Sequence, residues 1–254
     1  MQFARIKWLN NQPYSIDFND VYFSSGNGLQ ETQYVYIDKN NLVERFKNLS
    51  TASFTIIETG FGTGLNFLAI ANCWLEFAPK NAKLQFNSIE KHPLNLTDII
   101  QSHTLWPQFS AISQELIQQY QTLKHGCNNF SMAASRIHIA LWACDVKEAL
   151  LAINQTANAW VLDGFAPEKN QDMWSQKVFE HVARLSQLDT SFATFTSAGH
   201  VRRGLQAAGF ECTKHAGFGK KREMLSGIFV EKKLVSDVST DELIQNNNCK
   251  SKLL

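Results

Sequence analysis

The chain has 254 residues, 44% hydrophobic and 19% charged, enough apolar material for a sizeable core and too little charge for a disordered chain. Its 24 Lys and Arg balance 23 Asp and Glu to a formal net charge of +1, which excludes a uniformly basic nucleic-acid coat but leaves room for a local basic patch. The most apolar helical stretch, Phe67 to Ala78, is shorter than the ~20 residues of a membrane span, and Met1 to Leu9, carrying Arg5 and Lys7, lacks the apolar run of a signal peptide.

In chain order, Phe3 to Trp8 reads as a strand, Asn10 to Pro13 as a turn, and Gln33 to Ile37 as a further strand. Leu42, Val43 and Phe46 then recur at helical spacing. From Phe54 the pattern becomes strand–helix alternation. Phe54 to Glu58 is an apolar strand, followed by a glycine loop and a helix from Leu65 to about Phe77. Lys83 to Ile89 is the next strand, and Pro93 suits the first turn of a helix. The segment Ile99 to Ser135 breaks the rhythm; Ile112 to Tyr120 reads as an inserted helix. Strands follow at Ile137 to Leu141, Trp160 to Asp163 and Ser191 to Thr196. Helices lie at Val146 to Ile153, along the apolar face of Met173 to Leu185, and at Val201 to Ala208, which Gly209 stops. Phe210 to Lys214 and Met224 to Val230 are joined without a helix, which implies an antiparallel final strand. Repeated β-α-β units imply a mostly parallel, doubly wound α/β sheet. Three regions result: a β-rich extension over 1–50, a main domain over 51–233, and a polar tail or truncated linker over 234–254.

The loop Glu58-Thr59-Gly60-Phe61-Gly62-Thr63-Gly64 follows the first parallel strand. Its glycines permit positive φ and close backbone approach to a ligand. A carboxylate ahead of the glycines would repel a dinucleotide pyrophosphate but can pair with an ammonium. That favours S-adenosyl-L-methionine, which carries an α-ammonium and no phosphate, over a nicotinamide cofactor. Glu90 and Asp145 end the next two strands of the parallel set, where ribose hydroxyls and an adenine amino group could be met. Either acid could instead be a plain helix N-cap. The next strand ends Asp163-Gly164-Phe165-Ala166-Pro167. An acid there can take the proton of a methylated amine, and it can equally be a structural turn residue.

Asp20 to Phe23, Glu58 to Asn66, Asp163 to Trp174, Thr194 to Gly199 and Gly217 to Met224 together resemble the methyltransferase domain of the MnmC family. Those proteins are bifunctional enzymes of tRNA 5-methylaminomethyl-2-thiouridine biosynthesis. The resemblance covers roughly residues 3–231. It implies a class I S-adenosylmethionine-dependent methyltransferase fold with a seven-stranded sheet. It also implies methyl transfer to the 5-aminomethyl group of the wobble uridine of tRNA. The family's cofactor contacts map onto Glu58, Gly60, Gly62, Gly64, Glu90 and Asp145, and its active-site acid onto Asp163. This chain departs from the bifunctional pattern in having no second glycine fingerprint, so no FAD is expected. A separate flavin-dependent oxidoreductase domain or protein is then one source of the amine. Methylation of another amine, or a tRNA-binding remnant without activity, are the competing readings.

Between His200 and Glu223 stand Arg202, Arg203, Lys214, Lys220, Lys221 and Arg222 against only Glu211 and Glu223. Arg202, Arg203, Lys220, Lys221 and Arg222 fall on the cofactor edge of the expected sheet, which points to tRNA phosphates as partner. Seven histidines without HExxH spacing give no metal site. Five scattered cysteines without a CxxC pair (Cys73, Cys127, Cys144, Cys212, Cys249) fit reduced thiols in a cytoplasm, with no membrane partner.

Overall fold

A computed structural model describes residues 1–24 and 26–230; the tail expected over 234–254, and Cys249 in it, lie outside the described residues. The N-terminal extension opens with β1 (Ile6–Leu9), β2 (Gln12–Ser15) and β3 (Asp20–Val21), an antiparallel sheet of three strands. Asn10 and Asn11 turn β1 into β2 with φ of 49° and 61°, a left-handed geometry that asparagine tolerates better than most residues. Next, α1 (Gly28–Thr32) runs without a break into a π-helical turn over Gln33–Asp38, and α2 (Leu42–Lys47) follows. The strand expected at Gln33 to Ile37 is therefore helical. Val35, Tyr36 and Ile37 are all buried, wedged between helices and the main sheet, and that packing overrides the strand preference of a Tyr-Val-Tyr-Ile run.

The main sheet comprises β4 (Ser53–Thr59), β5 (Lys83–Ile89), β6 (Gly126–Met132), β7 (Ile137–Ala143), β8 (Ala157–Leu162), β9 (Ser186–Thr194), β10 (Phe210–Ala216) and β11 (Glu223–Phe229). Their order is β10-β11-β9-β8-β4-β5-β7-β6. The five central strands from β9 to β7 are parallel; β11 is antiparallel between β9 and β10, as the helix-free connection implies. Between the strands lie α3 (Leu65–Phe77), α4 (Leu96–His103), α5 (Ser110–Tyr120), α6 (Val146–Ala152), α7 (Gln176–Arg184) and α8 (Gly199–Ala207). Two apolar clusters sandwich the sheet. One gathers α2, α3 and α5 around Phe46, Phe67, Trp74 and Phe86; the other gathers α6, α7 and α8 around Trp160, Val178, Phe179 and Phe192.

The sheet has eight strands rather than seven. The added one, β6, is an edge strand antiparallel to β7. It lies in the segment that resisted sequence reading because Asn128, Asn129 and Ser131 dilute its strand signal, although Asn128, Phe130 and Met132 alternate inward. Pro93 precedes α4 instead of opening it. Asn95 is the cap: its side chain accepts the Asp98 backbone N–H at 2.9 Å. The apolar face from Met173 becomes helical only at Gln176, and β9 begins at Ser186 and ends at Thr194.

Candidate active site

The strand order reverses between β4 and β8, so a crevice opens at their carboxyl ends. The period of two along each strand decides what faces it. Phe54 and Ile56 of β4 pack on the α3 side, so Glu58 points the same way. Ser88 of β5 stands beside it in register, and Val161 of β8 on its other side places Asp163 two residues further on, on the same face. Asn66, in the first turn of α3, is held above all three.

Its amide group joins two carboxyls. Asn66 Nδ2 donates to Glu58 Oε1 at 3.1 Å and to Asp163 Oδ2 at 2.7 Å, while its Oδ1 accepts from the Thr32 hydroxyl at 2.8 Å. The Ser88 hydroxyl donates to the second Glu58 oxygen. Glu58 is fully buried, and burial pushes its carboxyl up to about 8 despite the bonds from Ser88 and Asn66. Asp163 is also raised by burial, against the opposing effects of the Gly164 N–H at 2.8 Å, Asn66, the nearby Tyr36 hydroxyl and Lys221. The Tyr36 hydroxyl lies close enough to Asp163 to bias its charge, but its geometry falls short of a hydrogen bond: it is buried and has no partner.

Above this floor is a cavity of about 330 Å³, lined by Gly60 to Thr63, Asn66, Glu90, Asp145, Tyr36 and Asp163 among others. Gly60 has φ +86°, and a Cβ there would lie 2.9 Å from Gly164 Cα, so glycine lets the β4 and β8 ends approach. Glu90 accepts the Gly62 N–H at 3.0 Å and the His92 N–H at 2.9 Å. Each carboxylate oxygen keeps a further lone-pair site for a ligand hydroxyl. Burial raises its pKa against those two bonds. Asp145 caps α6 through the Lys147 N–H at 3.0 Å and pairs with Lys91 at 3.0 Å. Its desolvation is outweighed by these contacts, and its pKa is lowered.

Two expected cofactor residues do not reach the cavity. Glu58 is sealed beneath Asn66, so no direct contact with a ligand ammonium is open to it. Gly64 caps α3 at φ +78° with the Phe61 ring behind it, and is likewise outside the lining.

The N-terminal extension roofs the other end. Phe18 stacks on Phe165 with ring centroids 4.5 Å apart, and Tyr22 meets the same ring edge-on at 5.2 Å. Asp20 accepts the Ala166 N–H at 3.4 Å and pairs with Lys169 at 3.2 Å. Glu31 of α1 also lines the cavity.

The chain matches a family model of S-adenosyl-L-methionine-dependent methyltransferases over residues 107–229. It is 46% identical over 226 residues to the tRNA 5-methylaminomethyl-2-thiouridine biosynthesis bifunctional protein MnmC of Methylobacillus flagellatus, covering 89% of this chain and 35% of that protein. To the protein of the same name from Chromobacterium violaceum it is 49% identical over 225 residues, covering 88% and 34%. The chain matches the S-adenosyl-L-methionine-dependent methyltransferase part of the MnmC proteins. It spans about a third of the length of these curated relatives. The solved structure of MnmC2 from Aquifex aeolicus shares the fold, with a TM-score of 0.67 at 18% identity over 96% of this chain and 76% of its own.

The residues expected to meet tRNA divide. Arg203, Lys220 and Arg222 are exposed, while Arg202 is half-buried with its Nε shielded and without a partner. Lys221 is exposed as well, with 40% of its side chain accessible, yet its Nζ lies 2.6 Å from Glu31 Oε1 and 4.1 Å from the Phe195 ring centroid, and it lines the cavity. Sequence reasoning missed Asn66, Ser88, Glu31 and Tyr36. The first two were within reach of strand parity and of the first turn of the helix after the glycine loop. The others belong to the stretch read as a strand or just before it. Among the described residues no group of three or more His, Cys, Asp or Glu could hold a metal ion, and no helix is long and apolar enough to cross a membrane.

Proposed function

We propose that this domain methylates the 5-aminomethyl group of (2-thio)uridine at the wobble position of cytoplasmic tRNA, giving 5-methylaminomethyl-2-thiouridine. The observation that carries the reading is Asp163, a half-buried carboxyl at the sheet's switch point, facing the cavity and held by Asn66 and the Gly164 N–H. An acid in that position orients an amine and accepts its proton. The family name of the relatives adds the tRNA nucleoside as substrate class.

The residues fit S-adenosyl-L-methionine. An acid-rich cavity with a glycine loop suits a ligand with an ammonium, ribose hydroxyls and no phosphate. Gly60 and Gly62 would face the methionine portion, Glu90 the ribose hydroxyls and Asp145 the adenine edge. The bound cofactor supplies an electrophilic methyl on a sulfonium. Asp163 holds the acceptor nitrogen and keeps its lone pair free; Phe165, fixed between Phe18 and Tyr22, offers a ring face to the uracil. Arg202, Arg203, Lys220 and Arg222 supply phosphate contacts. A flavin-dependent oxidoreductase, on the same or another chain, supplies the free amine.

The test is incubation of the protein with S-adenosyl-L-methionine and tRNA bearing 5-aminomethyl-2-thiouridine, followed by nucleoside mass analysis. One added methyl on that nucleoside is expected. No transfer to this tRNA, with cofactor binding intact, overturns the substrate assignment.

A further inference from the structure

Lys221 and Glu31 are not used by the reaction as described, yet both line its cavity. They come from distant parts of the chain, the loop between β10 and β11 and the helix α1. The side chain of Glu31 is only 10% exposed and is further held by the Ser24 hydroxyl. The Lys221 ammonium therefore sits between a shielded carboxylate and the face of Phe195, at 2.6 Å and 4.1 Å. Carboxylate plus aromatic face is a cradle for a cation. Tyr36 completes it. Its hydroxyl is shielded from solvent on a residue only 3% exposed, and it lines the same cavity, close to Asp163 but without a hydrogen bond of good geometry. A buried hydroxyl whose bond is poorly formed gains when a ligand offers it a better partner.

The occupant identifies the ligand class. Lysine's side chain ends in a primary alkylammonium, the same group as a protonated aminomethyl acceptor. We propose that Glu31, Tyr36 and the Phe195 face form the seat that receives the acceptor's primary amine next to Asp163, and that Lys221 fills this seat until the acceptor displaces it. The inference rests on the amine-methylating reading above and names the residues that recognise the amine. An arriving ammonium takes over the Glu31 carboxylate and donates an N–H to the Tyr36 phenolic oxygen. Lys221, released, swings out to solvent beside Lys220 and Arg222. Charge is conserved in the exchange, so the buried Glu31 carboxylate is never left alone.

The experiment compares wild type, Glu31→Gln, Tyr36→Phe and Lys221→Ala in steady-state methylation of aminomethyluridine tRNA, with methylammonium chloride as a free probe of the seat. Cofactor affinity by calorimetry, equal to wild type, certifies that each variant is folded; Glu31→Asp replaces any variant that is not. Losing a hydrogen bond to a charged group corresponds to about 10- to 100-fold in affinity. Glu31→Gln is thus expected to raise the acceptor KM about 10- to 100-fold with a smaller change in kcat, and Tyr36→Phe to raise it about tenfold. Lys221→Ala is expected to leave the KM unchanged or lower and to make methylammonium a competitive inhibitor at concentrations of that salt that do not affect wild type, with sodium chloride as the control. An unchanged KM in both Glu31→Gln and Tyr36→Phe, or a Lys221→Ala enzyme that methylammonium does not inhibit, overturns the proposal. A wild type that never methylates this tRNA overturns the substrate reading instead. In that case methylammonium binding to Lys221→Ala, followed by thermal shift against wild type, still decides the seat.

Discussion

Glu58→Gln isolates the electrostatics of the buried floor. A glutamine keeps the shape: its carbonyl oxygen can accept the Asn66 N–H and its amide can donate to Ser88, so it mimics the neutral acid. The folded carboxyl titrates at about 8 against an ordinary value of 4.5. Below 4.5 both states are protonated and the site contributes no pH dependence. Between 4.5 and about 8 the unfolded chain ionises while the fold retains the proton, so wild-type stability falls as pH rises, and above about 8 the loss is complete. At roughly 1.4 kcal/mol per tenfold change the interval corresponds to about 5 kcal/mol as an upper bound, and relaxation reduces it to about 2–5 kcal/mol. Urea unfolding of both proteins from pH 5 to 9 reads the difference. Glu58→Gln is expected to gain on wild type steadily up to pH 8 and to hold its advantage above. A stability difference that does not change with pH would mean that Glu58 is ionised in the fold, and would refute the reasoning.

Asp163→Asn is expected to lower single-turnover methylation by about 10²–10⁴ at neutral pH, with cofactor affinity retained and partial recovery as alkaline pH frees the amine. The acid limb of the wild-type rate profile should lie above the ordinary Asp value of 3.8, since burial raises Asp163; a variant within about threefold of wild type across pH 6–9 contradicts a base role. Gly60→Ala forces a Cβ to within 2.9 Å of Gly164 Cα at φ +86°, and should cost about 2–3 kcal/mol in urea unfolding. An unchanged midpoint would show that the loop relaxes freely. Replacing Lys220 and Arg222 with Ser should weaken tRNA binding and reduce the slope of log K against log salt by roughly one for each phosphate no longer neutralised, while cofactor affinity measured alongside stays constant. An unaltered slope would make them solvated surface charges.

What the sequence alone determined was local. The alternation of Phe54 to Glu58, the glycine run and the helix at Leu65 are consecutive, and so are the acids Glu90, Asp145 and Asp163 just beyond their strands. Their carboxyl-end placement follows from β-α-β connection rules, which need no knowledge of distant packing. Even the inward turn of Glu58 was implicit in the period of two that puts it on the side of Ile56.

Only the tertiary structure decided what those acids touch. Asn66 bridges Glu58 and Asp163 because the register of β4 with β8 brings residues 97 apart in the chain to one helix start. Lys221 reads as one of a cationic run, yet its partner Glu31 is 190 residues away. Tyr36 sits in a segment with every local mark of a strand, and its burial between helices made that segment helical. The strand β6 was hidden by its asparagines and exists because β7 offers it an edge. Periodicity and caps act over a few residues. Burial, register and charge pairing depend on segments far along the chain, and here those distant partners line one end of the cavity.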